Sequence, residues 1–234
     1  MVLTELQKAV PAGRSESDRR ARILAAAECA FVRHGFHAAT MQDVAAEAGM
    51  SPGNLYRYFP SKDAIVAGLC ERDQAALVTD FAALATSGDI LVDIGMMLRK
   101  QLVAEPRRHC QIFVEIWAEA TRNPAVAEIC SRMDEGIRRG LAAVIEGIKQ
   151  QGSAAPDLDT DFAVRGIVTV GVGLFKRRAH EPDFDGEAEV ALALGVIAAL
   201  FRGAVRPVEL GQPAELVRPA ELVQPAELLG GPSS

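Results

Sequence analysis

The stretch Thr40–Lys62, TMQDVAAEAGMSPGNLYRYFPSK, predicts two short helices joined by a tight turn and running into a third. Thr40 opens a T-x-x-D box with Asp43, in which each side chain satisfies the other residue's free backbone N–H. Val44, Ala45 and Ala48 share one helical face, and Gly49 follows as the left-handed residue that ends a helix. Ser51 is a second N-cap, with Pro52 at the first helical position, where a missing N–H costs nothing. Pro60 stops that helix, and Ser61 caps the next. Helix, glycine turn and short polar helix make up the helix-turn-helix plan, whose second helix enters the major groove of DNA.

The outward residues of the second helix suit that task. Asn54 can pair with a base edge, Tyr56 and Tyr58 can stack or donate to phosphate, and Arg57 can do either. Leu55 and Phe59 point inward as anchors. Thr40, Gln42, Ser51, Pro52, Gly53 and Lys62 complete the set expected to face DNA. Within it, Asn54 and Tyr56 are assigned to bases and Thr40, Tyr58 and Lys62 mainly to phosphates. The competing reading is a small αα-hairpin whose aromatic residues are all core. Three aromatics and an arginine on two turns exceed what a core stripe requires.

S-P-G-N-L-Y-R-Y-F-P-S-K, preceded by T-M-Q-D-V-A-A-E-A-G-M, resembles the DNA-binding signature of the TetR family of bacterial transcriptional repressors. The resemblance is strong over roughly residues 15 to 75 and weak beyond. Arg57 departs from it, standing where the family often carries an aromatic residue, and this bears on base preference. The resemblance implies a dimer interface in the last two helices.

Length and charge agree with such a protein. A chain of 234 residues can bury a substantial core as one large or two small domains. Its net charge of −6 argues against a generic polyanion binder. The charge is uneven: residues 1–62 carry eight Lys/Arg and six Asp/Glu, giving +2 and leaving −8 for the rest. A mildly basic head on an acidic body fits a protein that touches DNA with one end. Cys29, Cys70, Cys110 and Cys130 stand apart with no C-x-x-C pair, as buried small hydrophobes do in a reducing cytosol. Met1–Val10 lacks the apolar core of a signal peptide, and no apolar run reaches membrane-spanning length, so a cytoplasmic location is expected. His34 and His37 have no neighbouring ligand cluster, so no metal is expected, and no cofactor fingerprint appears.

Taken in order, residues 1–14 are read as an arm. Lys8, Arg14, Arg19, Arg20 and Arg22 either reach phosphates or form a solvated helix start. A first helix is expected from Ser15, boxed with Asp18, to His34, with Gly35 closing it. Together with the two short helices it makes a head of residues 15–61 around Ile23, Phe31, Phe36, Val44, Ala45, Leu55 and Phe59. A fourth helix runs from Ser61 to about Ala85 and serves as a lever between head and body. Further helices are expected near 89–104, 107–122, 124–151, 159–180 and 185–203, broken at Pro106, Asn123-Pro124, 152–156 and Glu181-Pro182. The expected architecture is all-α: a helix-turn-helix head and a larger helical body over 62–204.

Residues 166–175 and 190–201 are apolar around most of their circumference, so they must be buried on all sides. Gly166, Gly171, Gly173, Ala191, Ala193 and Gly195 admit close approach, and a four-helix bundle between two copies explains the pattern. An intrachain core is the alternative. Residues 205–234 are read as a tail, in which 207–230 form four copies of a hexapeptide P-[AV]-E-L-x-x. A proline every six residues forbids a continuous helix there.

Met96, Met97, Phe113, Trp117, Met133 and Phe175 are candidate walls of a ligand pocket in the body. His109, Glu115, Glu119 and Arg165 are its possible polar anchors. The run I-W-A-E-A-T-R-N-P-A-V, residues 116–126, is similar to C-terminal domains of the choline-responsive branch of the family. No nucleophile elbow, P-loop or His-carboxylate set with a nearby nucleophile appears, which argues against an enzyme. The leading expectation is a homodimeric repressor of a palindromic operator, released by a small molecule. The alternative is a constitutive or non-specific DNA binder without a ligand.

Overall fold

Capping chemistry sets the helix ends of the head. In the computed structural model, which describes residues 12–85 and 88–207, Asp43 N donates to Thr40 Oγ1 (3.2 Å) and Thr40 N to Asp43 Oδ2 (2.8 Å). The hydroxyl and backbone of Thr40 hold the Asp43 carboxyl below its ordinary range, which keeps a negative charge at a helix N-terminus. Ser51 Oγ accepts from Asn54 N (3.3 Å) and Ser61 Oγ from Ala64 N (3.1 Å). Gly35 and Gly49 take φ values of +75° and +65°, which only glycine adopts freely, and each turns the chain out of a helix.

The head consists of α1 (Ala12–His34), α2 (Met41–Glu47) and α3 (Pro52–Tyr58), followed by the long α4 (Lys62–Leu84). The body adds α5 (Ile90–Arg99), α6 (Arg107–Ala120), α7 (Pro124–Gln150), α8 (Thr160–His180) and α9 (Gly186–Phe201). Among the described residues there is no strand. The first helix starts at Ala12, three residues before the expected Ser15, because Ser-x-x-Asp is tolerated inside a helix and does not by itself begin one. The region expected to be helical to residue 104 ends in a π turn, Lys100–Ala104, closed by Glu105 N donating to Lys100 O (2.9 Å). The expected arm up to residue 11 and the repeats from 208 onward lie outside the described residues.

All seven expected head-core residues are at most 2% exposed. Phe31 and Phe36 meet edge to face at 5.0 Å. The same cluster continues into the body through Ile112, Phe113 and Ile116 of α6 and Met133 of α7. Burying each such side chain is worth about 1.5–3 kcal/mol, so the head is seated on α6 by more than one hinge residue.

Helix α4 rises about 34 Å along its axis and links two clusters. Ile65, Val66 and Leu69 belong to the head core, while Phe81 and Leu84 belong to a second core with Leu141, Val144 and Ile145 of α7. The α4–α7 seam is tight at two glycines. A Cβ at Gly136 would overlap Gln74, and one at Gly140 would lie 2.6 Å from Phe81 Cε2. Gly140→Ala is therefore expected to lower stability by about 1–3 kcal/mol through overpacking. Gly147→Ala, with nothing within 4 Å, should gain roughly 0.5–1 kcal/mol from helix propensity. Urea unfolding of the two variants side by side checks this; equal midpoints would mean the seam is loose.

Burial also accounts for the cysteines. All four are free thiols, and desolvation pushes Cys70 up to about 12 and Cys110 up to about 11. Both stay protonated at neutral pH and act as small hydrophobes. No helix among the described residues is long and apolar enough to cross a membrane.

Candidate DNA-reading surface and ligand cavity

Helix α3 holds its outer face clear by anchoring from behind. Leu55 and Phe59 are buried, while Ser51, Pro52, Gly53, Arg57 and Tyr56 (47% exposed) are open and Asn54 is half-buried beside them. Thr40 and Gln42 at the start of α2 are exposed on the same motif. The side chains of Arg57 and Tyr56 make no hydrogen bond or ion pair to any described residue.

Tyr58 and Lys62 are more constrained. Tyr58 packs half-buried on the head core, and its hydroxyl accepts from Arg19 (3.5 Å). Lys62 Nζ donates to the carbonyls of Phe36 (2.8 Å) and His37 (3.0 Å) and lies 4.9 Å from the centre of the Phe36 ring. It ties α4 to the loop before α2, and one N–H remains for a phosphate. Lys62→Ala should therefore lower the melting temperature as well as DNA affinity, because a charged hydrogen bond contributes about 1.5–3 kcal/mol. A variant with unchanged melting temperature would reduce Lys62 to a phosphate contact.

The arginines of α1 also turn inward. Arg20 donates to Tyr58 O (3.4 Å) and stacks on Phe59 at 4.5 Å, and Arg22 donates to Ala48 O (3.4 Å). Both cap the C-terminal carbonyls of the reading pair, where cations are favoured. Nothing in the local pattern marks that role, since the partners lie 38 and 26 residues away.

The body encloses a cavity of about 260 Å³ walled by α4 to α9 and by the π turn, overwhelmingly with apolar side chains. Of the residues proposed from the sequence, His109, Phe113, Trp117, Met133 and Phe175 line it. The His109 ring meets Phe113 edge-on at 5.3 Å and Phe175 at 6.2 Å, and Phe113 lies 6.0 Å from Trp117. Met96 does not line it: this side chain is 55% exposed, and Met97, 100° further round α5, faces the cavity instead.

Three of the four expected polar anchors are also elsewhere. Glu115 accepts from Phe36 N (2.9 Å) in the head, Glu119 pairs with Arg122 (2.5 Å), and Arg165 is exposed. Only His109 faces the cavity. The sequence offered no signal for a buried bridge in which Glu28 of α1 joins Arg72 of α4 (2.6 Å) and faces Arg108 of α6 (3.8 Å). At the cavity rim, desolvation raises the Asp134 carboxyl above its ordinary range although the residue is exposed overall, with Arg138 opposing.

Comparison with known proteins agrees with this geometry. The family profile described as "Bacterial regulatory proteins, tetR family" matches residues 23–69, and that described as "BetI-type transcriptional repressor, C-terminal" matches residues 95–202. The HTH-type transcriptional regulator UidR of Escherichia coli K12 is 31% identical over 175 residues, covering 75% of this chain and 88% of that protein. The chain belongs to the tetR family of bacterial regulatory proteins. As a tetR-family member it is a DNA-binding transcriptional regulator and not an enzyme. Salmonella enterica GusR superposes with a TM-score of 0.67 at 26% identity, covering 79% of this chain and 95% of that one. Bacillus subtilis FadR, solved in complex with stearoyl-CoA, gives 0.66 at 19% identity over 78% of this chain and 98% of its own, which supports the tetR fold alone.

Proposed function

We propose that this regulator is a repressor that binds a palindromic operator as a homodimer through α3 and is released when a small molecule enters the cavity. The observation that carries the reading is the double duty of α6. One face walls the cavity with His109, Phe113 and Trp117, and the other holds the head through Glu115. A ligand that displaces the wall therefore moves the seat of the reading helix. Two proteins of the same fold are described with bound small molecules, FadR with stearoyl-CoA and SmeT with triclosan, which favours a cavity that takes a ligand.

The division of roles follows the sequence expectation. Residues 15–61 form the reading head and 62–204 the ligand-binding and dimerisation body. Asn54 and Tyr56 read bases, Arg57 meets either base or phosphate, and Thr40, Tyr58 and Lys62 mainly hold phosphates, with Gln42, Ser51, Pro52 and Gly53 completing the surface that faces DNA. Dimerisation uses α8 and α9. Their small residues divide into two sets: Ala193 is buried and a Cβ at Gly166 would meet Leu200 at 3.2 Å, whereas Gly173 and Gly195 have open space. Val172 (46% exposed) and Leu192 (56% exposed) stand on the uncovered side. A second copy covering that side sets two α3 helices one DNA turn apart, about 34–36 Å.

The test is selection of bound fragments from random DNA, followed by titration of wild type and Tyr56→Ala. A palindromic site bound at least about 10³-fold above random DNA is expected. Tyr56→Ala should lose roughly 1–3 kcal/mol of discrimination. A protein that selects no sequence would be the constitutive, non-specific binder instead.

A further inference from the structure

We infer that the molecule this cavity takes is an amphiphile with one extended apolar body and a neutral or cationic hydrogen-bonding group lodged against His109. This rests on the cavity being the regulatory site proposed above, and it names the chemical class of the ligand.

The shape of the cavity limits the body of the ligand. Along α4 the lining runs from Asp73 to Leu84, and along α7 from Met133 to Ile145. At 1.5 Å per residue these spans are about 16 and 18 Å. A lining of that length, overwhelmingly apolar, suits an extended hydrocarbon body.

The two ends differ in chemistry. The far end, at Leu84, Ile94, Val144 and Phe201, carries no polar side chain. The end resting on α6 carries His109, which is only 9% exposed, and its ring nitrogens bond to no described residue. With no partner taken, these nitrogens can donate to or accept from a polar group of the ligand. The ring is aimed into the cavity between Phe113 and Phe175.

Charge then chooses among polar groups. Four acidic or basic side chains besides His109 line the cavity: Asp73, Lys100, Glu105 and Asp134. Asp73 is neutralised by Arg72 (2.9 Å) and Lys100 by Asp80 (3.0 Å). Glu105 and Asp134 form no ion pair with any described residue, although Arg138 lies near Asp134. The uncompensated charge is negative, which repels a carboxylate and favours an alcohol, amide or ammonium group. The aromatic faces of Phe113, Trp117 and Phe175 add to the attraction for a cation.

Trp117 is the sole tryptophan of the chain and lines the cavity, so its fluorescence reports on this site directly. The full-length protein is titrated with decanol, decylammonium, decanoate and 2-naphthol below their micelle concentrations. Release of a selected operator fragment is followed in parallel. Decanol and decylammonium are expected to bind at least tenfold more tightly than decanoate or 2-naphthol. His109→Leu should weaken decanol about tenfold, and His109→Gln, which keeps a hydrogen-bonding group, should restore part of it. Val144→Phe, which shortens the far end, should move the optimum of an alcohol series toward shorter chains. Tighter binding of decanoate or 2-naphthol, or affinity independent of chain length, would overturn the inferred class. In that case operator release by the tighter binder would leave the repressor reading intact. A protein that binds no operator defeats the repressor reading, and the Trp117 titration then judges the ligand class alone.

Discussion

Gly195→Glu is expected to produce a well-folded monomer that no longer holds operator DNA. Within one chain the substitution is harmless, because a Cβ at this position meets nothing within 4 Å and α9 is exposed there. Replacing a helix-interior glycine even gains roughly 0.8–1 kcal/mol of helix propensity. Against a second copy the result reverses. Close approach leaves no room for the side chain, and an unpaired carboxylate buried at an interface costs several kcal/mol. A monomer then offers one α3 and one half-site, so operator affinity should fall toward the non-specific level, about 10³-fold or more. Sedimentation, thermal unfolding and operator titration are read together. A stable monomer with undiminished operator affinity would remove the dimer from the mechanism, whereas loss of the thermal transition would mean that Gly195 is needed within the chain.

The elements legible in the sequence were those written in local chemistry. Thr40 with Asp43, Ser51 with Pro52, Ser61, Gly35 and Gly49 each act within four residues of where they stand, so local chemistry alone specifies the layout of the head. The seven head-core residues followed from the same helical spacing. What escaped depends on partners far away in sequence. Glu115 looked like a cavity anchor because it lies in the right helix, yet its partner is the Phe36 N–H, 79 residues earlier. Position alone lets Arg20 and Arg22 reach phosphates or form a solvated helix start, yet they cap carbonyls of α3 and α2. Met96 and Met97 are not separable by pattern, since α5 is apolar on several sides and packing on α9 and α4 sets its rotation. The π turn has no sequence signature of its own; Lys100–Ala104 reads as an ordinary helix end.

Glu115→Leu should break the exchange between ligand and operator while leaving both partners able to bind. Phe113 and Trp117 face the cavity, and Glu115 lies two residues from each, about 200° round the helix. Helix α6 is thus a partition with ligand on one side and head on the other. Oε2 of Glu115 receives the Phe36 N–H at 2.9 Å, directly after the left-handed turn at Gly35. A ligand displaces operator only by binding the wrongly spaced state better, and operator must weaken the ligand by the same factor. In the wild type that factor should be about 5–150, equivalent to 1–3 kcal/mol. With leucine at position 115, the head loses its polar tie to the partition and the factor should fall toward one. The substitution also leaves the Phe36 N–H unsatisfied at a cost of about 1–3 kcal/mol, so a lower melting temperature accompanies it. Glu115→Gln separates the two effects, because its amide oxygen still accepts the bond and should keep most of the coupling. The measurement is ligand titration of each protein with and without saturating operator. If Glu115→Leu kept the full wild-type factor, the signal would have to pass along α4 and its seam with α7, and the Glu115 bond would hold the head in place without carrying information.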